Sequence, residues 1–361
     1  MRYFFIFFLF LIFLFLGSYL FFFSQGYRFS LSKKNFYQTA GIYLKTWPKD
    51  SEVFLNGKFQ KKTDPIFGSL FLQKLEPKEH SLEVKKTGFF SWKKKVKLKE
   101  KKVEEFRNIF LFPEKIKLDF QQDNVLDIWP SREGEVLIQK REKEESRLYL
   151  LNQKEKKEIF LPFFKKMSKE AKIKDFFFLP LENKFFLKME EGKKERYFTF
   201  EVGKDNFWQE RKKEELTGKE EKKESVNGNS FFLWKNNLFK EDTQGKREKI
   251  MEGVNDFLIS PRKDKIAIFQ DNEIWLLLKE NDFERVFLAR FSQKIKNPFW
   301  LNNHYLLFSL EDKIIISETD TRNGLNYYEW PFPRPKILFN FSEKNFFLLT
   351  EGKLFLSEKI F

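Results

Sequence analysis

The chain has 361 residues, with 68 Lys and Arg against 53 Asp and Glu, two His and no Cys, giving a net charge of +15. Zero Cys excludes disulfide frameworks, thiolate zinc sites, iron–sulfur clusters and cysteine nucleophiles. Two His far apart leave little for His-based triads or metal centres, and the length allows two or three domains.

The first element is an uncharged apolar run from Tyr3 to Phe23, broken only by Gly17-Ser18. At about 1.5 Å per residue it spans roughly 31 Å, one hydrocarbon core. A cleaved signal peptide has an apolar core of about 7–15 residues ending at small residues. Here the run ends in Phe21-Phe22-Phe23-Ser24-Gln25-Gly26, without such a site. The prediction is one uncleaved anchor over residues 1–26, with the bilayer as its partner, followed by a linker over 27–41.

Residues 24–118 hold 22 Lys and Arg against 10 Asp and Glu, so most of the positive charge lies there, and residues 119–361 are near neutral. That step, with Pro113 beside it, predicts a domain boundary: a β module over 42–118 and a second domain over 119–361. In the module, Val53-Phe54-Leu55 runs into Asn56-Gly57, a strong two-residue hairpin signal. Ser81-Leu82-Glu83-Val84-Lys85 and Lys95-Val96-Lys97-Leu98-Lys99 alternate polar and apolar, as strands with one wet face do.

The stretch Trp47-Pro48-Lys49-Asp50-Ser51-Glu52-Val53-Phe54-Leu55-Asn56-Gly57 resembles the opening of a PEGA domain. Thr63-Asp64-Pro65 is similar to its Thr-Pro turn, and Leu75-Glu76-Pro77-Lys78-Glu79-His80-Ser81-Leu82-Glu83-Val84 with Gly88-Phe89 resembles its Leu-x-Pro-Gly-x-His strand and ending. Two turns depart from the pattern: Pro48-Lys49-Asp50-Ser51 stands for Pro-Glu-Gly-Ala, and Lys78 for the usual Gly. The resemblance implies a small β-sandwich-like adhesion or scaffold module outside the membrane, without catalysis, in which His80 is structural.

Beyond residue 119 a turn, an apolar strand and a second strand recur at a period of about 35–50 residues, the range of propeller blades. The apolar strands include Val136-Leu137-Ile138, Phe185-Phe186-Leu187, Phe231-Phe232-Leu233, Ile266-Ala267-Ile268-Phe269, Leu306-Leu307-Phe308 and Phe346-Phe347-Leu348. One such sheet cannot bury both faces alone, and radial stacking solves that problem. Ser260-Pro261-Arg262-Lys263-Asp264, ending in Glu273-Ile274-Trp275, resembles a blade of TolB-like or WD40-like propellers. The predicted fold class is all-β after one N-terminal transmembrane helix: a PEGA-like β-sandwich module, then a β-propeller-like domain of about six blades. A two-sheet sandwich is the rival for the second domain. Gln209–Glu224, with Leu216 as its only large apolar residue, is expected as a solvated loop, and Trp330–Pro335 as a polyproline-like strap.

No Gly-x-Ser-x-Gly, Walker glycine loop, His-Glu-x-x-His or dinucleotide fingerprint occurs. His304 reads as a turn residue, and Asp320-Thr321-Arg322-Asn323-Gly324, the nearest approach to a calcium loop, as a plain turn. Asn340-Phe341-Ser342 fits a glycosylation acceptor by letters only. No catalytic, metal or cofactor residue is assigned, and no enzyme is expected. The candidate contact is the basic segment Lys93, Lys94, Lys95, Lys97 and Lys99, set against anionic headgroups or envelope polymers. The expectation is a cell-envelope scaffold whose propeller binds a protein, peptide or glycan. The alternatives are a carboxylate-based propeller hydrolase or lyase, and a nucleic-acid-binding membrane protein using Lys for phosphates. Arg28, Lys33, Lys34 and Lys45 after the span favour a cytoplasmic C-terminal side by charge count. Both resemblances favour the outside, and the expectation follows them.

Overall fold

The computed structural model describes residues 2–30, 35–131, 135–142, 145–152, 157–161, 172–179, 184–192, 194–200, 208–211, 222–226, 228–281, 283–340 and 343–360. Lys33, Lys34 and Phe341-Ser342 of the acceptor triplet lie outside them. The chain divides into two compact units, residues 1–115 with 320–326, and 116–319 with 327–361.

In the first unit α1 (Arg2–Ser24) is a continuous helix. Its segment Tyr3–Ser24 is long and apolar enough to cross a membrane, and its most apolar stretch is not buried by the rest of the protein. A helix suits such a run because every internal backbone group is paired along the axis. Gly26 ends it at φ 84°, with its amide bonded to Phe23 O at 3.2 Å. A left-handed residue there closes the last turn, and glycine adopts it without a Cβ clash. The strands β1 (Tyr27–Ser30) and β2 (Asn35–Gln38) follow as an antiparallel pair.

Seven further strands form two stacked sheets: β3 (Ala40–Trp47), β4 (Glu52–Leu55), β5 (Lys58–Lys62), β6 (Ser69–Leu75), β7 (Glu79–Lys85), β8 (Trp92–Lys97) and β9 (Val103–Phe110). One sheet has the order β6-β3-β9, with β3 and β9 parallel, and the other the order β5-β4-β7-β8. Ile42, Leu44 and Phe106 of the first meet Val53, Leu82, Val84, Trp92 and Val96 of the second in a single core. The alternating strands thus point their apolar halves inward, as a sandwich requires. Asn56-Gly57 makes the tight turn between β4 and β5, with φ values of 51° and 76°. Two consecutive positive φ angles match the twist of the flanking strands.

The second unit consists of four-stranded antiparallel sheets built in chain order. The described strands of the first five fall within residues 125–161, 172–211, 222–252, 256–290 and 296–331. The sixth joins both ends of the unit: β10 (Leu118–Gln122) pairs with Lys353–Ser357, which pairs with Asn345–Thr350 and then Lys336–Asn340. Among the described residues these make six meandering sheets, the last completed by the unit's first strand, a strand order compatible with propeller blades. Sheets pack through apolar faces: Val136 and Ile138 of the first against Phe347 and Leu349 of the sixth, and Leu137 and Leu148 against Phe185 and Phe198 of the second. Phe231 and Leu233 of the third meet Ile266 and Ile268 of the fourth. The recurrent apolar runs are the second strand of each sheet. They are apolar at consecutive positions because neighbouring sheets cover both their faces.

Two expectations are corrected. Gln209–Arg211 is not loop: it belongs to Trp208–Arg211, which pairs with Tyr197–Phe200. Lys222–Glu224 likewise pairs with Phe231–Leu233. Both strands are terminal in their sheets and need little apolar surface, and 212–221 lies outside the described residues. Trp330 and Pro331 end a strand, Tyr327–Pro331, and a bend at Pro333-Arg334 replaces the extended strap. Pro is accepted there because the strand is the outer one of its sheet.

Candidate functional site

The basic segment falls on β8, the edge strand of its sheet. Trp92, Lys94 and Val96 face the core, whereas Lys93, Lys95 and Lys97 are exposed, as is Lys99 beyond the strand. Across the ladder Lys93 stands opposite Glu83, and their charges meet at 2.9 Å. Lys85 reaches the same carboxylate at 3.1 Å. Burial pushes the Glu83 carboxyl up, but the two lysines outweigh it and hold it below the usual range. Lys95, Lys97 and Lys99 have no ion-pair partner among the described residues.

Lys94 departs from the expected role. It is only 2% exposed, and its ammonium donates to Asp320 O at 2.7 Å and to Gly324 O. The strand period places it on the opposite face from its neighbours, so it cannot reach a headgroup. Its partners belong to the turn 320–326, which clusters with this unit. Asn326 accepts from Lys93 N at 3.1 Å and donates to Lys93 O at 3.0 Å. An amide side chain thus replaces a strand partner at one position of the edge. Arg322 donates to Glu105 O at 3.2 Å, binds the Asp320 carboxylate at 2.8 Å, and lies over Phe106 at 5.3 Å. Burial raises the Asp320 carboxyl, and Arg322 more than offsets it, so the group stays ionised below its ordinary value. The sequence gives the turn but no sign of its docking, since its partners are more than 200 positions away.

His80 is buried between two fixed groups: Nε2 donates to Glu76 O at 2.8 Å, and Nδ1 accepts from Asn56 Nδ2 at 3.0 Å. Asn56 Oδ1 in turn accepts from Ser81 N at 2.9 Å. The imidazole therefore serves to pin the β4–β5 turn to β7.

In the second unit the carboxylate of Asp264 is the best-defined polar centre. Ser260 Oγ donates to it at 2.8 Å, and Asn303 Nδ2 lies 3.0 Å from both its oxygens. Arg262 N donates to Asn303 Oδ1 at 3.1 Å, and Lys265 Nζ to Asn303 O at 3.0 Å. Burial raises the Asp264 carboxyl, but the donors from Ser260 and Asn303 and the charge of Lys265 bring it below its ordinary value. These bonds from Ser260 and Asn303 tie the carboxylate between consecutive sheets as a lock. His304 sits beside this corner through its backbone, with its amide on Asn302 Oδ1 at 2.8 Å. Among the described residues no three His, Asp or Glu side chains converge as a metal site.

No family model matches the chain, and no curated protein matches it. Among solved structures, a luciferin-regenerating enzyme is similar at 10% identity and a TM-score of 0.42, over 68% of this chain and 95% of its own. A gluconolactonase from Xanthomonas campestris is similar at 10% identity and a TM-score of 0.43, over 67% and 89%. TolB from Acinetobacter baumannii is similar at 11% identity and a TM-score of 0.37, over 70% and 60%. Strand pairing, rather than these likenesses, carries the fold assignment.

Proposed function

We propose that the chain is a membrane-anchored, non-enzymatic scaffold of the cell envelope. Its helix holds a PEGA-like module at the bilayer, its propeller binds a protein, peptide or glycan, and both domains lie outside the membrane. The observation that carries this reading is the helix: its most apolar stretch has no cover within the protein, which suits a lipid one. The unpaired cations Lys95, Lys97 and Lys99 support contact with an anionic surface or polymer. The His80 ring, bonded at both nitrogens, and the Asp264 carboxylate, tied to Ser260 and Asn303, support a structural role for these two residues.

The full chain should stay with membranes through alkaline carbonate extraction. Protease added to intact cells should degrade everything beyond Gly26. Release by carbonate refutes the anchor. Protection until lysis reverses the sidedness and favours the nucleic-acid alternative, which further requires duplex DNA binding that falls steeply with salt.

A further inference from the structure

At the exit of α1 lies an open cavity of about 390 Å³. Its walls bring together Arg28, Lys74, Lys101 and Lys102, with Phe23 and Phe71, and include no carboxylate. Backbone bonds fix its frame. Thr39 N donates to Gly26 O at 3.0 Å, Lys101 N to Thr39 O at 3.3 Å, and Gly41 N to Lys102 O at 3.1 Å. The β8–β9 turn is therefore stapled to the end of the helix.

Arg28 is held there by two carbonyls, Phe23 O at 3.0 Å and Tyr27 O at 2.7 Å, and its guanidinium stacks 3.5 Å from the Phe23 ring centre. Lys74, Lys101 and Lys102 are exposed and make no ion pair among the described residues. Four cations around one cavity repel each other unless an anion sits among them. Two of these lysines also take left-handed backbone, with φ 59° at Lys74 and 61° at Lys101. A side chain-bearing residue is disfavoured there, and such strain concentrates at binding sites.

The surroundings are apolar and exposed. Phe29 is 50%, Phe36 71%, Phe71 45% and Val103 45% exposed. Phe29 and Phe36 meet edge to face at 5.1 Å on the β1–β2 hairpin, directly after the helix. Exposed rings beside the end of an apolar helix suit the headgroup layer of a bilayer.

We infer that this cavity binds the phosphate of an anionic phospholipid headgroup, gripped by Arg28, Lys74, Lys101 and Lys102 while the exposed rings meet the acyl boundary. A free phosphate shares the ionic chemistry but gives the rings nothing to cover. The inference rests on the reading that α1 crosses the membrane.

The test uses the full chain in neutral detergent, titrated calorimetrically with dihexanoyl phosphatidylglycerol, dihexanoyl phosphatidylcholine and glycerol 3-phosphate. Phosphatidylglycerol should bind at least tenfold tighter than the other two. Lys74→Gln/Lys101→Gln/Lys102→Gln should weaken it at least tenfold, whereas Lys95→Gln/Lys97→Gln/Lys99→Gln should change it less than threefold. Lys102→Glu alone gives the same direction if the triple variant fails to fold. Equal binding of both lipids, or undiminished binding by the triple variant and Lys102→Glu, overturns the site. Glycerol 3-phosphate binding as tightly as the lipid overturns the lipid assignment in favour of a soluble anion. Detergent makes the titration independent of topology, so carbonate release with intact lipid binding sinks the anchor reading alone.

Discussion

Lys94 offers the sharpest test of how the turn 320–326 is held. Lys94→Met keeps the buried stem and removes the ammonium that donates to Asp320 O and Gly324 O. Hydrogen bonds involving a charged group are worth about 1.5–3 kcal/mol each, and the desolvation of the lysine offsets part of the pair. A net loss of about 1.5–3 kcal/mol follows for the closed turn, which is roughly a 10- to 150-fold rise in its open population. Arg322, on the exposed tip of that turn, is a tryptic site. When opening is fast relative to cleavage, the cutting rate tracks the open population. Tryptic cleavage after Arg322, followed by mass spectrometry at pH 8, should therefore accelerate by that factor in Lys94→Met. Lys95→Met, an exposed neighbour on the other face, should leave it within twofold. A Lys94→Met rate equal to the parent's would show that the ammonium does not hold the turn.

Three further outcomes are expected. Asp264→Ala should lower stability by about 2–3 kcal/mol near neutrality, through loss of the donors from Ser260 and Asn303. Because the folded carboxyl is held below its ordinary value, that stabilisation is complete above the unfolded pKa and fades as pH falls through the folded one. The gap between parent and variant in denaturation profiles should thus narrow as pH falls from neutrality through the acid range below the ordinary Asp value, and a gap that stays constant over that range would count against the lock. Trp92→Ala, which empties a site 2% exposed in the sandwich core, should cost about 3–5 kcal/mol in urea melts. Asp119→Pro takes a backbone donor out of the ladder between β10 and Lys353–Ser357 and should lower the calorimetric stability of the C-terminal unit by about 1 kcal/mol or more. No shift would deny β10 its closing part.

The sequence was most readable where local chemistry and tertiary context agree. Asn56-Gly57 demands a tight turn, and the turn is there. The apolar triplets at 136–138, 185–187 and 231–233 mark strands covered on both faces, because only such strands tolerate apolar residues at consecutive positions. The charged strands around 209–211 and 222–224 were hidden because an end strand of a sheet gains its place from backbone bonds, which leave no apolar signature. The basic segment was legible as an alternating strand, yet a run of three lysines conceals its phase, and Lys94 fell on the buried side. Arg28, Lys74, Lys101 and Lys102 were invisible as a group, since nothing in their spacing announces that the chain returns to the helix end.

The pairing of β10 with Lys353–Ser357 also bears on biosynthesis. A ribosome adds about 5–20 residues per second, so β10 waits roughly 10–50 s for its partner strand. Throughout that interval its ladder groups are open to any passing strand. The composition of β10 suits the wait: Asp119, Gln121 and Gln122 leave only two large apolar side chains, Leu118 and Phe120, in five positions. Sequence polarity that contributes little to the finished core thereby guards the nascent chain. Ribosome-arrested chains halted at residue 340 should keep residues 118–122 open to protease, whereas chains with the whole sequence clear of the exit tunnel should protect them. Protection at residue 340 would mean that another strand serves as an interim partner.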